Sequence, residues 1–386
     1  MVKRLGDIAS FRRGLTYSKG DEAPFSSKCV LRSNNINLEA NSLDLSEIKY
    51  LREDFIIPDD RKLKANSIFI CMSNGSKQHV GKVAFIEKDM DYAFGGFMGL
   101  IVPSPEVSAK FVYYACQSSA YRSFLSQVGN GIGITNLRFS DLEKFEIPFP
   151  PLAEQQRIVD ELDLLSRVIE LKNAQLRTLD ELAQSIFYEM FSKIKERTPL
   201  ATYVTDLSAG KSLAGDEENP NKVLKTGAVT YDYFRGDDVK NLPLDYQPKE
   251  KDLVKKGDLL ISRMNTAELV GAVAYVWDVA PKVYLPDRLW RVTLTEKANP
   301  VFLWKALVQF ESKQQIRSLA SGTSGTMKNI SKPKFLSVEV PVVDRCLQDT
   351  FADRLMELER QKIAVNASKK IAQDLLASRM DKYFNA

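Results

Sequence analysis

From Leu152 to Arg197 the chain contains neither glycine nor proline, and apolar residues recur along it at Ile158, Leu162, Leu165, Ile169, Leu176, Leu179, Ala183, Ile186 and Met190. The steps alternate four and three, with only Lys172 departing from the series. This is the a/d pattern of a helix that packs lengthwise against another helix. At 1.5 Å per residue, roughly 40 residues span about 60 Å, well beyond an ordinary globular helix. Such a segment separates two bodies rather than filling one, and it needs a partner helix. A rigid proline stretch, Pro148-Phe149-Pro150-Pro151, leads into it.

Both the second body and the partner helix follow from an internal repeat. Asn66-Ser67-Ile68-Phe69-Ile70-Cys71, followed by Val80-Gly81-Lys82-Val83-Ala84, matches Gly257-Asp258-Leu259-Leu260-Ile261-Ser262, followed by Val270-Gly271-Ala272-Val273-Ala274. Each half reads as a β-type run, a polar loop and a second β-type run. Ala109-Lys110-Phe111-Val112 then matches Pro300-Val301-Phe302-Leu303, a predicted helix in both halves, and Thr135-Asn136-Leu137 through Pro148 aligns without a gap onto Lys328-Asn329-Ile330 through Pro341. Beyond Pro341 a second helical pattern runs through Gln348, Phe351, Leu355, Leu358, Val365, Ala372 and Leu376, interrupted by Lys362 and Lys369. The predicted order is body, helix, body, helix. A pseudo-twofold axis would lay the helices antiparallel with one body at each end, and the mixed patterns within each body make the fold class α+β.

Several chemistries are disfavoured. His79 is the only histidine and lies in a polar run with no nucleophile elbow, so a multi-histidine metal site is excluded. Cys29, Cys71, Cys116 and Cys346 lack metal or disulfide spacing and read as reduced core thiols. Asn299-Pro300-Val301-Phe302 looks superficially like the amine-binding motif of amino-methyltransferases, but its repeat counterpart is Ser108-Ala109-Lys110-Phe111, so the shared feature is a helix start. Gly129-Asn130-Gly131-Ile132-Gly133 lacks the lysine of a phosphate-binding loop, although its amides could touch a phosphate. The absence of a long apolar run or signal-like start predicts no membrane association and a cytoplasmic address. A net charge of +4 permits a polyanionic partner without demanding one.

The Pro151-Leu152-Ala153-Glu154-Gln155-Gln156-Arg157-Ile158 helix start, the half-repeat, the paired helices and the run Gly257 to Arg263 resemble the specificity subunit of type I restriction-modification systems. The resemblance covers the whole chain. It implies a target-recognition domain at 1–151, a long helix at 152–195, a second recognition domain at 196–341 and a second helix at 342–386. Each domain would read one half of a split, asymmetric sequence in double-stranded DNA, and the helices would set the spacer. The resemblance further implies that two modification (methyltransferase) subunits dock along the helices and that ATP-dependent restriction subunits join for cleavage. S-adenosylmethionine and magnesium-ATP would sit on those partners, with no cofactor on this noncatalytic chain. Docking and seam candidates are Glu154, Gln155, Ile158, Leu162, Leu165, Ile169, Leu176, Leu179, Ile186, Leu355, Leu358, Val365 and Leu376. The second helix start, Pro341-Val342-Val343-Asp344-Arg345-Cys346-Leu347-Gln348, departs from the pattern by losing the Glu-Gln pair.

Base reading calls for Arg or Lys toward guanine and Asn or Gln toward adenine, offered from polar loops. Those loops nominate Arg32, Asn34, Asn35, Asn74, Lys77 and Gln78 in the first half, and Lys225, Thr226, Arg263, Asn265 and Arg288 in the second. The alternative is a single-chain DNA methyltransferase or nuclease with duplicated recognition domains, which the missing nucleotide-binding and amine-binding motifs disfavour.

Overall fold

A computed structural model describes residues 1–128, 136–324 and 327–385. The chain divides into two compact units, Met1–Ala174 with Asn366–Ala386, and Gln175–Val365. In the first, one sheet has the order Val83–Ile86, Ser67–Cys71, Met98–Pro103, Ala9–Arg13, with every neighbour antiparallel. The second unit repeats that order with Val273–Tyr275, Leu259–Ser262, Leu289–Leu294 and Val204–Ser208. Beside each lies another sheet built around one parallel pair, Lys28–Leu31 with Met90–Phe94 in the first unit and Lys222–Leu224 with Val283–Tyr284 in the second. The sequence repeat is therefore a repeat of α+β topology.

The continuous apolar run at Ser67–Cys71 is buried along its whole length. Side chains of a strand alternate between faces, so Ile68 and Ile70 enter a core shared with the helices, while Phe69 and Cys71 enter the core beneath the second sheet. Leu259 and Ile261 part from Leu260 in the same way. The returning loop is closed by Gly81 and Gly271, at φ +82° and +75°, whose N–H groups donate to the Cys71 and Ser262 carbonyls at 2.8 Å. A Cβ on Gly271 would lie 2.0 Å from Ile316 Cγ2, so both the backbone angle and the space demand glycine.

The helices Leu152–Phe191 and Arg345–Phe384 each span 40 residues, and each contributes to both units. Within either unit the two helical segments run antiparallel. In the first, Tyr383 Oη donates to Glu161 at 2.6 Å, and Arg379 pairs with Glu161 at 2.8 Å. In the second, the Phe187 and Phe351 rings lie 5.6 Å apart, and Lys362 pairs with Asp180 at 2.5 Å. The seam residues Ile158, Leu162, Leu179, Leu355, Leu358 and Val365 are buried, while Leu165, Ile169, Leu176, Ile186 and Leu376 are half-buried. Phe187 and Phe191, beside the a/d series, complete the second seam by packing on Phe302 and Phe351.

Two expectations need correction. Lys362 does not interrupt the seam: it is buried in it and donates to Glu359, itself only 2% exposed, at 2.7 Å. Charge enters the packed interface as a bonded layer because both Glu359 and Asp180 meet the ammonium. Of the four thiols only Cys71 and Cys116 are core residues; Cys29 is half-buried, and Cys346 is exposed on the first turn of its helix. Among the described residues no helix is long and apolar enough to cross a membrane.

Candidate nucleic-acid interface

In the first unit four strand-end segments, Arg13 to Tyr17, Arg32 to Asn34, Ser73 to Gly75 and Gly95 to Met98, meet together with Glu47. They line a groove of about 910 Å³. Each segment leaves the end of a strand, so the sheets fix where the loops start, and main-chain bonds fix how they meet. Gly14 N–H donates to the Met98 carbonyl at 3.1 Å, Gly95 N–H to Leu31 at 2.9 Å and Met72 N–H to Phe97 at 2.9 Å. Gly14 lies so near the next segment that a Cβ would stand 2.0 Å from the Gly95 carbonyl oxygen. In the second unit Gly210 donates to the Pro286 carbonyl at 3.1 Å, and a Cβ there would stand 1.9 Å from the Leu285 oxygen.

The groove gathers Arg32, Asn34 and Asn74. Arg32 is half-buried with Nη2 3.3 Å from Glu47. Asn34 is exposed. Asn74 donates to Ser33 Oγ at 2.8 Å and accepts from the Ser76 N–H at 2.8 Å, which fixes the amide while leaving one N–H free of those bonds. Lys77 and Gln78 are exposed on the turn that follows, beyond the groove lining. Asn35 drops out of the candidates. It is wholly buried, accepts from Arg32 N–H, and donates to the Asp44 and Glu47 carbonyls at 2.8 Å, so its carboxamide is consumed in shaping the loop.

Sequence reasoning missed Arg13, Tyr17 and Phe97, which also line the groove. The polar Arg12-Arg13-Gly14 at a strand end, echoed by Ser208-Ala209-Gly210-Lys211, was the available signal. Burial pushes the Tyr17 phenol up, against the opposing pull of Arg32, so Tyr17 stays a neutral hydroxyl beside the guanidinium.

Equivalent strand ends in the second unit carry its candidates. Lys225 is exposed, 3.6 Å from Asp238, and Thr226 starts the turn that packs on the strand Leu259–Ser262. Arg263 and Arg288 are joined by a main-chain bond of 3.1 Å, and the Arg263 guanidinium lies 5.9 Å from the Trp290 ring centroid. Asn265 sits on the short strand paired with Lys328, its Oδ1 accepting from Thr266 N–H. Arg288 is exposed. The Gly129 to Gly133 run lies outside the described residues.

Gln155 is also corrected. Its side chain is fully buried, accepting from the Ser108 N–H at 3.0 Å and donating to the Pro150 carbonyl at 2.9 Å, so it has no face for a partner. It satisfies the first amide ahead of the helix Ala109–Ala115 and ties that helix to the long one. The second repeat retains this device. Gln348 accepts from the Asn299 N–H at 2.7 Å and donates to the Lys297 and Val343 carbonyls at 3.0 and 2.8 Å. Of the Glu154-Gln155 pair, the second repeat therefore lacks only the glutamate, which in the first repeat forms a bidentate, partly exposed pair with Arg157. Asn299 caps the helix Pro300–Leu307, accepting from the Val301 and Phe302 N–H groups, as its repeat position implied.

Residues 1–181 match the family described as Type I restriction modification DNA specificity domain. Across most of its length the chain is similar in sequence to a type I restriction specificity subunit. It is 24% identical over 355 residues to the EcoKI specificity subunit of Escherichia coli K12, covering 86% of this chain and 76% of that one. It is 28% identical over 178 residues to the StySPI specificity subunit of Salmonella potsdam, covering 45% of this chain and 38% of that one. The fold matches the S subunit of a type I restriction-modification system from M. genitalium, with a TM-score of 0.58 at 16% identity over 100% of this chain and 96% of that one.

Proposed function

We propose that this chain is the DNA-sequence-specificity subunit of a type I restriction-modification complex, each unit reading one half of a bipartite asymmetric target. The observation that carries this is the recurrence, at the same strand ends of two like units, of loop sets that share a backbone frame and differ in side chains. Shared frames dock alike; different side chains read different bases. The paired helices set the unspecified spacer and carry two methyltransferase subunits, with ATP-dependent restriction subunits joining for cleavage. The chain is itself noncatalytic and acts in the cytoplasm, and S-adenosylmethionine and magnesium-ATP are bound by its partners. The recognition domains run over 1–151 and 196–341, and the conserved helical segments over 152–195 and 342–386.

Exchanging residues 1–151 for those of a relative with a known target tests this directly. Methylation sequencing is expected to show one half of the motif replaced and the other intact. Replacement of both halves, or of neither at measurable methylation, overturns the assignment of one half-site to each unit.

A further inference from the structure

One strand-end position is equivalent in the two units and opposite in chemistry. Phe97 follows Gly95 and Gly96, between the strands Met90–Phe94 and Met98–Pro103, and is 72% exposed while lining the groove. Arg288 stands between the strands Val283–Tyr284 and Leu289–Leu294; it is exposed, and its guanidinium has no hydrogen-bonding or ionic partner among the described residues. The backbone is held the same way at both. The Phe97 carbonyl accepts from the Met72 and Ser73 N–H groups at 2.9 and 3.1 Å, and the Arg288 carbonyl accepts from the Arg263 N–H at 3.1 Å. The main chain is fixed and the side chain is uncommitted, so the residue type can change without touching the frame.

We propose that positions 97 and 288 are the paired base-reading positions of the two units. Arg288 donates two guanidinium N–H groups to O6 and N7 of a guanine, and Phe97 packs on the 5-methyl group of a thymine. This rests on the loops being DNA-binding, as proposed above. An exposed arginine alone would fit a phosphate equally well. The repeat decides between them: like frames bring the same position to the same part of the duplex, and a phenyl group has nothing to offer a phosphate. A large apolar group held outward in water at the groove fits a partner surface that buries it, and the thymine methyl is the apolar group in the major groove.

The test complements deletion of the gene in its host with variants and sequences the methylated sites. Arg288→Gln is expected to make one G·C position degenerate in the second unit's half-site, lowering discrimination there on the order of 10- to 100-fold, with the other half intact. Phe97→Ala should loosen one A·T position in the first unit's half-site, and Phe97→Arg should replace it with G·C. Both side chains are exposed, so unchanged melting of the isolated variants checks that the fold is kept. Uniform loss of methylation over all sites in Arg288→Gln, the signature of a phosphate contact, overturns the proposal, as does an unaltered motif at measurable activity. If the unmodified chain supports no two-part motif that disappears on deletion, the specificity role itself falls, an outcome distinct from failure at these two positions.

Discussion

Replacing Gln348 with alanine separates a buried structural lock from a docking residue. The substitution leaves the Asn299 N–H without its 2.7 Å acceptor and removes the donor to two carbonyls, at a position with no exposure. An unsatisfied donor at the half-buried Asn299 costs about 2 kcal/mol, and two carbonyls that each lose one of their partners add roughly 1 kcal/mol together. The total of about 3 kcal/mol corresponds to a fall of about 6–12 °C in the melting of a unit of this size. Gln155→Ala removes one acceptor and one donor contact, those with Ser108 and Pro150, so its fall should be smaller, about 5–10 °C. Glu154→Ala, which breaks a solvent-screened pair with Arg157, should leave the melting essentially unchanged. Calorimetry of the isolated subunit measures all three. Melting of Gln348→Ala within about 1 °C of the parent refutes the lock. So does a Gln155→Ala subunit that melts normally yet fails to join its partners, because that is how a docking residue behaves.

Two further outcomes follow from buried charge and buried sulfur. Lys362→Met should cost roughly 3–5 kcal/mol in chemical denaturation because Glu359 stays buried without its cation, whereas adding Glu359→Leu should recover most of the loss. Burial pulls the Lys362 ammonium down, but the bonds to Asp180 and Glu359 outweigh it and leave the group raised; its contribution is thus full below about pH 10.4 and is lost as pH rises through the folded value, so alkaline destabilisation should vanish in the double variant. In thiol labelling at pH 8, Cys346 should react first and Cys29 more slowly. Burial pushes Cys71 up to about 11 and Cys116 up to about 12, so these two should react only on unfolding.

The long helices and the repeat were legible because both signals are local and redundant: a four-three seam survives one misplaced lysine, and a matched order of strands and helices survives divergent loops. The state of individual polar residues was not. Asn34 and Asn35 are identical neighbours, yet one faces the groove and the other is consumed by carbonyls 9 and 12 residues away. Lys362 reads as a flaw in its seam because its partner Asp180 is distant in sequence. Phe97 escaped for the opposite reason, since an apolar residue beside a strand reads as core unless its exposure is seen.

Because the unit occurs twice in one chain, each copy is a control for the other. What the copies share sits where substitution meets a hard physical limit: Gly14 and Gly210, where a Cβ would strike a carbonyl; Gly81 and Gly271, at positive φ; Gln155 and Gln348, each a buried side chain answering the amide ahead of a helix. What they do not share sits where side chains reach the open end of the loops, as at Arg32 and Lys225, and at Phe97 and Arg288. A clash or an orphaned amide costs several kcal/mol, whereas an exposed side chain costs within about 0.5. Change is therefore nearly free at the loop ends and heavily penalised in the frame that aims them. A fold with that distribution can acquire a new half-site through a few exposed positions while its backbone geometry, and with it the approach to the duplex, stays as it was.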